Sequence, residues 1–222
     1  MRLVKSVASV GFDRPLDPWD GLRGLLRVAS ENVALELQGQ PMVTDRPDKK
    51  QSVTLQFRGV VFHQEDNDSQ EECLSQALEY LRQANTTSPF PPLSNLKYDA
   101  TFIEPFALPF HELVDLMKRR YFRSNELLDP GSDVGITVDY HEGEIVKHLQ
   151  IGPMEAAQLQ SNYLKWPLDE IPDCFLYIYL GYERQREAEF DLADIHKLFD
   201  EAVQWQLSQA RKILSTLEQE AS

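Results

Sequence analysis

Asp139, His141, Glu144 and His148 are the four side chains of this chain whose types and closeness suit chemistry. Two imidazoles and two carboxylates form a ligand set for zinc or manganese. An imidazole beside a carboxylate can also act as a general base. Whether they meet depends on the local fold. Glu142-Gly143 is a turn pair, and closing a hairpin there with a two- or four-residue loop places Tyr140 opposite Ile145 and Val138 opposite Lys147. Ile136, Val138, Tyr140, Ile145, Leu149 and Ile151 then share one face. Thr137, Asp139, His141, Glu144, Val146 and His148 share the other. The spacing matches no established metal motif. Alternation alone explains the polar set as the solvated face of an edge hairpin. A catalytic metal site would need further ligands from another element, and no such element is evident. The expectation is therefore no catalytic residues and no cofactor, with metal-dependent hydrolysis or nuclease activity at residues 134–151 as the alternative.

Three other constellations carry weaker signals. His63-Gln64-Glu65-Asp66 and Asp68 form an oxygen-rich run, but the central Gly of a calcium loop is missing, so a solvated acidic loop is expected. Lys118, Arg119, Arg120 and Arg123 are the one basic cluster. They suit a phosphate or an acidic partner, or simply the negative end of a helix dipole. Tyr177, Tyr179 and Tyr182 read as packing residues, and as an interface if one face of their strand is open. Gly-rich phosphate loops, nucleophile elbows and HExxH are absent from the sequence. Cys73 and Cys174 are far apart and form neither a disulfide framework nor a zinc knuckle.

The 222 residues carry 36 acids against 22 bases, a net charge of −14. Nucleic acid is bound by neutralising phosphates, so this balance opposes wrapping a duplex, and it is also repelled by anionic lipid. The first fifteen residues lack an apolar core segment, and no apolar run approaches bilayer length. The expectation is a cytoplasmic chain.

The elements that must position these residues follow from hydrophobic periodicity. Residues 3–12 read as a strand. Asp17-Pro18 caps a helix, and 32–38 alternates as a second strand. Residues 52–63 read as one strand whose phase slips at Gly59, as a bulge would produce. A helix starts at Ser69, and 96–104 is a fourth strand. That order, βαββαβ over 1–106, is ferredoxin-like and admits an RNA-binding reading, though no Gly-aromatic signature supports it. Residues 107–222 read α-β-β-β-α: a helix from Phe110, the hairpin, a linker, an apolar strand from Cys174, and a long helix from Leu192. The terminal stripe is Ile195, Leu198, Phe199, Ala202, Trp205, Gln209, Ile213 and Leu217. The fold class is α+β, with the second, antiparallel unit packed closely on the first or continuing its sheet.

Three segments resemble a sporadically distributed family of uncharacterised bacterial proteins. These are Leu55 to Phe62 with the following acidic helix, Leu96-Lys97-Tyr98, and Phe175 to Tyr182 with Phe190-Asp191-Leu192 and the terminal helix. The family's usual Ile-Asn after Leu-Arg-Tyr is here Asp99-Ala100. The resemblance implies no activity. Its patchy distribution associates it with bacterial conflict systems, antiviral defence among them. Together these readings lead to an expected protein-binding subunit or regulator without catalysis of its own, with a protein partner or a second copy of the chain, and neither membrane nor nucleic acid.

Overall fold

The structure, a computed structural model, describes residues 1–16, 42–66, 69–87, 89–122 and 133–221. Eight strands form one antiparallel sheet in the order β2-β3-β4-β1-β5-β8-β7-β6. They are β1 (Arg2–Phe12), β2 (Met42–Arg46), β3 (Gln51–Gln56), β4 (Gly59–Glu65), β5 (Leu93–Pro105), β6 (Ile136–Glu142), β7 (Ile145–Glu155) and β8 (Cys174–Ala188). The helices are α1 (Gln70–Thr87), α2 (Phe110–Tyr121), α3 (Ala156–Asn162) and α4 (Leu192–Ala221). No described helix is long and apolar enough to cross a membrane.

Strands β1–β5 and β6–β8 share this one sheet. The join is β5 against β8, in register from Asn95–Gln185 to Pro105–Phe175. Strands 3–12 and 96–104 lie side by side as β1 and β5. The expected helix after Asp17 and strand 32–38 lie outside the described residues. The expected single strand 52–63 is a correction. Gln56 pairs with Gly59, so Phe57 and Arg58 form a tight turn between β3 and β4. The slip in apolar phase marks a reversal of the chain, not a bulge. Phe57, 71% exposed, sits at its tip.

Helices α1, α3 and α4 have a local reason to start where they do. Ser69 Oγ accepts from the Glu72 N–H at 3.3 Å before α1, and Glu71 and Glu72 occupy its positive end. Asp191 Oδ1 accepts from the Ala193 N–H at 2.8 Å before α4. α3 lies in the segment expected to be a linker. Its start is a reciprocal capping box between Glu155 and Gln158, a signature built on Glu instead of the usual Ser or Thr.

Helices α1, α2 and α4 cover one face. Leu74 of α1 and Phe199 of the first half of α4 pack on Val10, Phe62 and Tyr98 of the sheet. Leu116 and Met117 of α2 and Ile213 of the second half of α4 pack on Phe102 and Ile178. Each such side chain contributes about 1.5–3 kcal/mol by leaving water. α3 and the segment 163–173 cover one end of the opposite face, over Ile103, Phe175 and Tyr177.

The buried stripe of α4 includes Gln206, 0% exposed, in place of the expected Gln209. Its Nε2 donates to the carbonyls of Tyr98 (3.0 Å) and Leu180 (2.8 Å), and its Oε1 accepts from Gln70 Nε2 at 2.7 Å. A buried amide satisfied this way ties α4 to β5, β8 and α1.

Candidate functional site

The hairpin forms, with a register two residues away from the expected one. Glu142 pairs with Ile145, Tyr140 with Lys147, and Val138 with Leu149. Gly143 (φ +61°) takes the first of two loop positions, which a type II′ turn reserves for glycine. The loop is thus Gly143-Glu144, not Glu142-Gly143. The division of faces is as expected, because a shift by two preserves it.

On the polar face, Asp139 lies directly opposite His148, with Asp139 Oδ1 2.7 Å from His148 Nδ1. The same row continues through Gly181 on β8 to Asp99 on β5 and Val7 on β1. Gly181 lets this row close up. A Cβ there would lie 2.9 Å from Asp99 Oδ1, 3.1 Å from the Tyr179 hydroxyl and 3.3 Å from His148 Cβ. The four side chains that converge over β8 therefore come from β5, β6, β7 and β8.

Asp99 is the electrostatic centre. Burial pushes its carboxyl above the usual range, against the opposing pull of Lys97, 2.9 Å away, and of Tyr179 and His148. Its Oδ1 is shielded from solvent. Burial and the Asp99 charge together raise the Tyr179 hydroxyl. Lys5, on the same face of β1, donates to the Tyr163 carbonyl at 2.6 Å; burial lowers its ammonium, against the pull of Glu65 and Asp99.

The other hairpin candidates stand apart. His141 faces Val146 across the hairpin, and Glu144 sits in the turn with its Oε2 3.8 Å from Arg184 Nε. The structure thus joins Asp139 to His148 and leaves His141 and Glu144 outside the pair. Among the described residues no three His, Cys, Asp or Glu side chains gather as a metal-binding group. The site can hold charge and donate and accept hydrogen bonds. A cleft of about 620 Å³ lies elsewhere, between α1 and α4, beside Leu74, Arg82 and His196.

Two expected binding groups are dispersed by packing. Tyr177 is buried under α3, 5.1 Å from Tyr163, and Tyr182 is buried under α4, 6.2 Å from Trp205. They sit on opposite faces of an interior strand, so only half-buried Tyr179 remains for an interface. Lys118 is buried on the apolar stripe of α2, whereas Arg119 and Arg120 are exposed, and Arg123 lies outside the described residues.

The acidic run is also corrected. Glu65 is fully buried at the end of β4, where its carboxylate accepts from the Lys165 N–H (2.8 Å) and the Trp166 N–H (2.9 Å) beside His63 Nε2 (2.9 Å). Asp66 bonds Arg2 and Lys50 at 2.5 Å each. These acids fasten the segment 163–173 and the β2–β3 corner; they do not form a solvated loop, and Asp68 lies outside the described residues.

Sequence reasoning missed Lys5, Lys97, Asp99 and Gly181. A signal existed for two of them. Asp99 is a charge in the middle of an apolar strand, and Gly181 interrupts the most apolar strand of the chain. A glycine inside a strand marks a close approach of other atoms. In comparison with known proteins, the chain matches no family model and no curated protein.

Proposed function

We propose that the chain is a non-catalytic protein-binding subunit or regulator, and that the partner sits on the uncovered part of the sheet face around Asp99. The observation that carries this reading is the row Asp99, Tyr179, His148 and Asp139, presented partly exposed by four adjacent strands of one rigid sheet. Fixed polar groups on a stiff surface suit recognition of a partner with a complementary polar pattern. The acid excess of the whole chain opposes an RNA-binding role for the same face. The strand order β5-β1-β4-β3 supports a ferredoxin-like reading of the first part, with β2 as an added edge strand.

The test is affinity capture with the full chain from its source cells, comparing wild type with Asp139→Lys and with Glu183→Lys, which lies on β8 opposite Val146 and on the same face as Tyr179. A partner lost with both variants, and retained by Arg82→Glu at the α1–α4 cleft, supports the face. Loss with Arg82→Glu alone moves the interface to the cleft. The Asp139–His148 pair favours the hydrolase alternative in one respect, since it holds an imidazole against a carboxylate. A rise of several degrees in melting temperature with Zn²⁺ or Mn²⁺, abolished by His148→Ala, would put that alternative first.

A further inference from the structure

We propose that the outer edge of β6 pairs with β6 of a second copy, antiparallel about a twofold axis through Tyr140. This inference goes beyond the partner proposed above and does not depend on it. β6 ends the sheet, and its outer edge pairs with no strand among the described residues. In a hairpin closed by Glu142 and Ile145, residues 142, 140 and 138 exchange backbone bonds with β7. The N–H and C=O groups of Thr137, Asp139 and His141 then point outward. All three residues are exposed, as is Tyr140 at 47%. His141 makes no hydrogen bond or ion pair with the described residues.

An open edge of this kind is a template for another strand. Side-chain charge selects its register. A twofold axis keeps each residue opposite a residue of the same face, so only a few alignments exist. An axis through Asp139 sets carboxylate against carboxylate. An axis through His141 sets imidazole against imidazole, and one through Val138 sets Asp139 opposite uncharged Thr137, with no attraction to hold it. An axis through Tyr140 sets Asp139 opposite His141 of the second copy, twice by symmetry. Those are the outward-bonding residues, so each such pair also exchanges backbone hydrogen bonds. On the other face Tyr140 meets Tyr140 of the second copy, an aromatic pair at the closer, non-hydrogen-bonded spacing. The occupant is thus a second copy in one register, and the result is one sheet continuous across two chains.

The test uses Tyr140→Cys in a Cys174→Ser background; Cys73 is buried and its thiol is pushed up to about 12, so it stays inert. Facing Cα atoms about 4.5 Å apart suit a disulfide. Under mild oxidation at about 100 µM protein and physiological salt, which shortens the reach of the mutual −14 repulsion, Tyr140→Cys is expected to form a covalent dimer. Asp139→Cys is expected to form little. Light scattering of the unmodified chain should show mass rising with concentration toward twice the monomer. His141→Asp should weaken that association about tenfold, since it turns two attractive cross-strand contacts repulsive. A monomer at every concentration, or cross-linking through Asp139→Cys in place of Tyr140→Cys, would overturn the proposal. Melting curves show that each variant is folded before it is scored.

Discussion

Gln206→Leu tests how the three layers of this fold are held in register. The side chain is wholly buried and makes three hydrogen bonds: two donated to strand carbonyls and one accepted from Gln70. Leucine has nearly the same volume, so cavity effects are small. Each lost bond costs about 1 kcal/mol net, and the Gln70 amide is left buried without its acceptor, which adds about 1 kcal/mol more. Replacing a buried amide by methyl groups returns about 1 kcal/mol. The net expectation is a loss of about 3 kcal/mol. For a chain of this size that is about 6 to 12 °C in melting temperature. The assay is urea unfolding and calorimetry of Gln206→Leu, Gln70→Leu and the double variant. Gln70 Oε1 is already buried without a partner, so Gln70→Leu removes one unsatisfied atom while orphaning Gln206 Oε1. The double variant should be less destabilised than the sum of the singles by about 1 kcal/mol or more. Additive singles, or a Gln206→Leu chain as stable as wild type, would refute the claim that this amide locks α4 onto β5 and β8.

Other outcomes follow from the same geometry. Burial pushes the Glu65 carboxyl up, but hydrogen bonds from His63 and from the Trp166 and Lys165 N–H groups outweigh it and hold it below its ordinary 4.5. A depressed folded value means this contribution is present above about pH 4.5 and is lost as pH falls through the folded value. Hydrogen exchange of 163–173 should therefore accelerate in that acid window, and Glu65→Gln should exchange fast already at pH 7; an unchanged profile in the variant would show that the carboxylate does not fasten the segment. Gly181→Ala should cost about 1–3 kcal/mol, because its Cβ meets Asp99 Oδ1 and the Tyr179 hydroxyl at or near 3 Å. Equal denaturant midpoints for wild type and variant would mean the row over β8 has slack. Asp99→Asn removes the charge that Lys97 faces at 2.9 Å while keeping shape. It should move the His148 ring resonances in NMR at neutral pH, and unmoved resonances would show that the two groups do not interact.

The amino-acid sequence by itself determined the longer helices, the longer strands and the two faces of the hairpin. Alternation of period two in 3–12 and 136–151, and the 3.6-residue stripe after Asp191, are local consequences of burying one side of a strand or helix. The expectation that 3–12 and 96–104 belong to one sheet was legible too, and they lie side by side as β1 and β5. Pairing register and shared location were decided only in three dimensions. Gly143 alone set the hairpin two residues away from the expected register, through a left-handed backbone value that Glu142 does not supply. Tyr177 and Tyr182 lost their surface role because α3 covers the one and α4 the other, on opposite faces of β8, and Lys118 because its helix faced inward. The row from Asp139 to Asp99 joins residues forty positions apart, and no local pattern records that β8 would place a glycine between them. Proximity of that kind is a property of strand order, and strand order is fixed by which apolar faces the helices finally cover.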